Sequence, residues 1–123
     1  MKRTLTLGQL INKLTPIQQE SPEILVSYDF VSLFPTLIDS WRGDYSQLAL
    51  NYGFGTHLNT TEFLSLLESA NGASFTGYKG GDFFMNYHTP VWVANCGESG
   101  FTGILDIVSD GYDVKIITAL CKY

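Results

Sequence analysis

Positive charge is what this chain has least of. Seven Lys and Arg stand against twelve Asp and Glu in 123 residues, a formal net charge of −5. A general nucleic-acid binder needs a basic face to displace counterions, so no DNA or RNA duplex is expected as a partner. The acidic residues are spread evenly, without the dense runs of a DNA mimic. Cysteine is nearly absent. Cys96 and Cys121 share no metal-type or redox spacing, and two reduced, buried thiols are the expected state. His57 and His88 add no ligand spacing to them, so neither a metal nor a cofactor is expected. No apolar run approaches the ~20 residues of a membrane span. The first six residues soon turn polar and carry no apolar leader core. The expectation is a cytoplasmic protein with no membrane partner. Catalytic signatures are missing as well. His88 near Asp82, Glu98 or Asp39 has the makings of a base, but no nucleophile motif stands beside it.

What is present is a globular composition, 45% hydrophobic and 15% charged. One domain spanning residues 1–123 is long enough to bury a core without staples. Thr6 and Gln9 form a capping box that opens a helix. Leu7, Leu10, Ile11 and Leu14 share its apolar face, and Pro16 is expected to end it. Residues 23–30 read as a strand, and the continuous apolar section 24–26 suggests a central one. Residues 36–41 and 45–52 read as strands around an Arg42-Gly43-Asp44 turn. Asn59 and Glu62 cap a second helix, with Phe63, Leu64, Leu66, Leu67 and Ala70 inward and Asn71-Gly72 closing it. Beyond it, 74–78 and 83–86 flank Lys79-Gly80-Gly81 as a hairpin, and 90–95 is a strand. Segments 101–108 and 112–120 bracket Ser109-Asp110-Gly111, a signal for a primed turn. The expected fold class is α+β: antiparallel-dominated β-sheet of roughly eight strands with two amphipathic helices. The matched ends and caps of the two helices suit a half-domain duplication, 5–52 and 58–121. Two well-capped helices also resemble each other for local reasons, and both accounts stand. Lone edge strands suggest a homo-oligomer.

Between Leu14 and Val114 the chain has two cations, Arg42 and Lys79. Each adjoins an aromatic residue, precedes a glycine and has an aspartate two or three positions on. Arginine offers a planar fork of donors to phosphate, and lysine a point charge. Trp41, Tyr45, Tyr78 and Trp92 offer flat faces to a base. Ser40, Asp39, Asp44, Asp82 and Glu98 offer oxygens to orient the cations or to bond ribose and amino groups. The glycines let a ligand approach backbone N–H groups. Local ion pairs on hairpin tips, with the aromatics in the core, would produce the same pattern. Two stacking contacts supply roughly 2–6 kcal/mol. Two charge-assisted hydrogen bonds add roughly 3–6 kcal/mol. Association costs about 4 kcal/mol or more. One shallow pocket would therefore bind weakly, to the micromolar range. Tighter capture needs a lid or a pocket shared between subunits.

Three stretches carry a family resemblance: Ser40-Trp41-Arg42-Gly43-Asp44-Tyr45 with Leu48-Ala49-Leu50, Phe75-Thr76-Gly77-Tyr78-Lys79-Gly80-Gly81-Asp82, and Thr89-Pro90-Val91-Trp92-Val93-Ala94-Asn95 with Gly97-Glu98. Over most of residues 5–108 the chain resembles small proteins of tailed phages and prophages, of unassigned function. The resemblance brings no activity to individual positions. It implies a counter-defence protein in the host cytoplasm: a sponge that sequesters a nucleotide immune signal, a cyclic oligonucleotide or an ADP-ribose derivative, without cleaving it. The alternative is an inhibitor or accessory factor that grips a host protein through its aromatic turns. A nucleotide hydrolase is the third reading.

Overall fold

The computed structural model describes residues 2–30, 33–41, 44–53, 55–76, 82–95 and 100–122, with backbone alone at 44, 45 and 76. Helix α1 spans Leu7–Glu20 and helix α2 spans Thr60–Ala70, each opened by the expected capping box. The strands are β1 (Val26–Tyr28), β2 (Ile38–Trp41), β3 (Asp44–Leu50), β4 (Ser74–Thr76), β5 (Asp82–Phe84), β6 (Val91–Val93), β7 (Thr102–Ser109) and β8 (Val114–Leu120). Six form one sheet in the order β1-β8-β7-β6-β3-β2, and β4 pairs with β5 apart from it. Among the described residues no helix is long and apolar enough to cross a membrane.

The α+β class and the two helices agree with expectation, but the sheet is mixed rather than antiparallel-dominated. β1 runs parallel to β8, and β3 parallel to β6. Alternation of apolar residues marks a strand without naming its neighbour, so long-range parallel pairing leaves no local trace. The β3–β6 pair needs a crossover, and α2 with the β4–β5 ribbon forms it. The segment expected at the centre, β1, lies at the edge. Its apolar run has another cause: Val26 is buried and Ile24 packs on the core, while Leu25 between them stays exposed.

Pro16 does not end α1, which continues to Glu20. A proline inside a helix costs about 3 kcal/mol or more. Ile17, one residue later, packs against the core and favours continuation. The β7–β8 connection is also displaced from the expected Ser109-Asp110-Gly111. Ser109 pairs with Val114, so four residues make the connection. Asp110 Oδ1 accepts from the backbone N–H of Tyr112 and Asp113, both at 2.8 Å, and Gly111 takes φ +91°.

Period-two alternation sorts the sheet's residues onto two faces. Leu48, Leu50, Val91, Val93, Ile104 and Ile116 meet Leu7, Leu10, Leu14, Phe63 and Leu67 of the helices in the main core. Trp41, Ala49, Trp92, Ala94 and Cys121 form a second, smaller cluster. The intervening positions Ala49 and Trp92 place it on the face turned away from the helices.

Candidate functional site

The aromatic cluster follows from register. β3 pairs with β6 so that Ala49 lies beside Trp92. On its other side β3 pairs with β2, where a register shift falls between Ser40 and Trp41. A bulge re-aims the side chain that follows it, and the methyl of Ala49 leaves room between the strands for two indoles. Trp41 and Trp92 stack with centroids 5.0 Å apart and planes 18° from parallel. Phe101 closes the side of the pair at 6.0 and 5.9 Å. The Trp92 Nε1–H donates to Gln47 Oε1. Trp41 is 1% exposed and Trp92 2%.

The two tryptophans, expected to present flat faces to a ligand, thus face each other. Ser40 is half-buried and Asp39 exposed, with the Asp39 carboxylate accepting from the Ser40 N–H at 2.8 Å. Asp82 is exposed at the start of β5. Arg42, Tyr78, Lys79 and Glu98 lie outside the described residues, as do the side chains of Asp44 and Tyr45. What the described residues contribute is the framing of the two turns. β3 follows Arg42 and Gly43 in the chain, β5 follows residues 77–81, and β3 and β5 are in contact.

The two histidines sit in different surroundings. His88 is exposed, its backbone N–H donating to Asn86 Oδ1 at 2.8 Å. His57 stacks on Phe34 at 4.2 Å. Its Nε2 lies 2.8 Å from the Val26 carbonyl oxygen and 3.2 Å from Ser27 Oγ. A carbonyl only accepts, so Nε2 carries the proton and cannot take one from Ser27. Among the described residues no three His, Cys, Asp or Glu side chains gather as a metal site would require. Burial pushes the Cys121 thiol up from its ordinary value, the opposite of a reactive thiolate.

No family model, no curated protein and no solved structure matches the chain.

Sequence reasoning did not find two features. One is the tryptophan pairing, for which the unbroken apolar run 90–94 is a usable signal, since such runs mark strands buried on both faces. The other is a crevice at the carboxyl ends of β3 and β6, lined by Thr36, Leu37, Asn51, Thr56, Leu58 and Asn95. Two asparagines ending two strands are its trace in the sequence. They become informative only once β3 and β6 are known to be neighbours.

Proposed function

We propose that the chain is a binding protein that captures a small phosphorylated nucleotide intact, at the two turns around Arg42 and Lys79. The contact between β3 and β5 carries the proposal, because it makes neighbours of the strands that leave those turns. Arg42 and Lys79 hold phosphate. Tyr45 and Tyr78 enclose the base, while the Trp41–Trp92 stack fixes the end of β2, after which Arg42 follows in the chain. Asp44, Asp82 and Glu98 orient the cations or bond ribose and amino groups. The ligand class is a cyclic oligonucleotide or an ADP-ribose derivative, and the setting that the resemblance implies is sequestration of a host immune signal. A pocket shared by two copies of the chain would lift the affinity above that of a shallow site.

The test is a thermal-shift panel of cyclic dinucleotides, cyclic trinucleotides and cyclic ADP-ribose isomers. A ligand at 100 times its dissociation constant adds roughly 2.7 kcal/mol of apparent stability. The reading expects a rise of several degrees for one class. It expects the rise to vanish in Arg42→Ala and in Lys79→Ala, with tryptophan fluorescence unchanged. A shift that survives both substitutions, or a flat panel, would remove it.

One observation favours a second reading, a protein partner. Exposed aromatics lie on β5 and in the turn that follows it: Phe84 is 70% exposed, and Phe83 and Tyr87 are also partly in solvent. Aromatic side chains in such positions are typical contact anchors. A flat panel, together with a stable complex lost on Phe84→Ala, would decide for this reading.

A further inference from the structure

β3 and β6 lie side by side and parallel, with Leu50 beside Val93 at their carboxyl ends. There the two chains part. From β3 the chain turns toward α2, and Leu58 packs on the helix-side core. From β6 it passes to β7, and Phe101 packs on the tryptophans of the other face. Chains that diverge from adjacent parallel strands leave a crevice outside the carboxyl ends, the place where ligands bind in open sheets of parallel strands. The crevice described above occupies that place.

Its polar groups are held rigidly. Thr36 N–H and Leu37 N–H both donate to Asn51 Oδ1 at 2.7 Å, and Asn51 Nδ2 donates to Thr36 Oγ1 at 2.8 Å. The Asn51 carbonyl accepts from the buried Tyr28 hydroxyl at 2.6 Å. Across the opening, Asn95 is anchored by the Tyr52 N–H donating to its Oδ1 at 3.1 Å. Gly55, at φ +98°, brings its loop against Thr36. The Asn51 Oδ1 is thus spent on two backbone donors, whereas Nδ2 has two N–H groups and uses one of them on Thr36. The crevice therefore presents a fixed donor, threonine hydroxyls that both donate and accept, and the apolar flanks of Leu37 and Leu58. Among the described residues no charged side chain lines it. A phosphate or carboxylate would find no counter-charge there.

The geometry points to a site for a neutral nucleobase, free or as its nucleoside. Its ring nitrogen or exocyclic oxygen accepts from Asn51 Nδ2, and its faces lie against leucine. Bases taken out of a stack are held in this manner, by hydrogen bonds at one edge and apolar contact on the faces. The site lies at the opposite end of β3 from Arg42 in the chain. It follows the carboxyl end of β3, whereas Arg42 precedes the amino end, and a strand of this length spans about 20 Å. Either site stands if the other fails.

The experiment is an NMR titration of the full chain with adenosine, guanosine, cytidine and uridine, with glucose as a neutral control. At least one nucleoside is expected to give saturable shifts of the Asn51 side-chain amide and the Leu37 methyls. Leu37→Arg should weaken binding about tenfold or more. Leu37 is 63% exposed, so this variant keeps its fold. Arg42→Ala should leave the affinity unchanged. Shifts from no nucleoside, shifts matched by glucose, or binding indifferent to Leu37→Arg would each overturn the assignment.

Discussion

Among the described glycines, Gly103 has the least room for a side chain. A Cβ at this position would sit 2.4 Å from Cys121 Sγ and 2.8 Å from Thr4 Cβ. Gly103 pairs with Trp92 across β6 and β7, so a methyl there would press into the crowded aromatic face. Gly103→Ala is expected to lose about 1–3 kcal/mol in urea unfolding, the usual cost of overpacking. A loss within error of zero would mean that Cys121 and Thr4 yield easily. Tyr28 makes a different kind of prediction. Burial pushes its phenol well above the ordinary value of 10.0. The unfolded chain ionises this group near that value, so its contribution is complete below it and is lost as pH rises through the tyrosine range. Cys121 is also raised by burial and adds in the same direction. The comparison that isolates Tyr28 is with Tyr28→Phe, whose stability should fall less steeply with alkaline pH. At this scale the sequence was legible for the core leucines, because helical spacing singles out Leu7, Leu10 and Leu14. It was misleading for Trp41 and Trp92. The apolar run 90–94 signals that Trp92 is buried, but that Trp41 stacks on it is a long-range fact.

Among the elements, the short segment ahead of α1 has a role out of proportion to its length. Leu5 N–H donates to the Ile104 carbonyl, and Val91 N–H to the Leu5 carbonyl. The chain start therefore inserts between β6 and β7, which directly share one residue pair. Thr4 completes the insertion. Its buried hydroxyl donates to the Val91 carbonyl and accepts from the Ile104 N–H at 2.8 Å. Thr4→Val keeps the shape and removes both bonds, leaving a buried donor and a buried acceptor. A loss of about 1–3 kcal/mol is expected. Hydrogen exchange should quicken at Ile104 before it does at the far end of β7. Unchanged exchange there would count against the wedge. The helix starts, by contrast, were readable to the residue, because Thr6/Gln9 and Asn59/Glu62 are local chemistry. Where a distant contact decided the outcome, as Ile17 does beyond Pro16, local rules stopped too early.

For the whole molecule, the mixed sheet is what positions the tryptophan stack and the crevice. Parallel pairing of β3 with β6 sets Ala49 beside Trp92, and so builds the tryptophan stack. It also ends both strands at one crevice, while β3, which follows Arg42 and Gly43 in the chain, touches β5, which follows residues 77–81. Scarcity of positive charge singles out Arg42 and Lys79 in the sequence, though both lie outside the described residues, whereas the crevice leaves no such mark, since it exists only through the pairing. The central claim is capture of an intact phosphorylated nucleotide at those turns. Its most direct test is isothermal titration calorimetry of the wild-type chain and the Arg42→Ala/Lys79→Ala double variant with the panel ligand that most raises the melting point, followed by recovery of the ligand after heat denaturation. The account predicts saturable heat for the wild type, none for a folded double variant, and ligand returned chemically unchanged. Equal heat from both proteins, or a ligand returned as cleavage product, would contradict it.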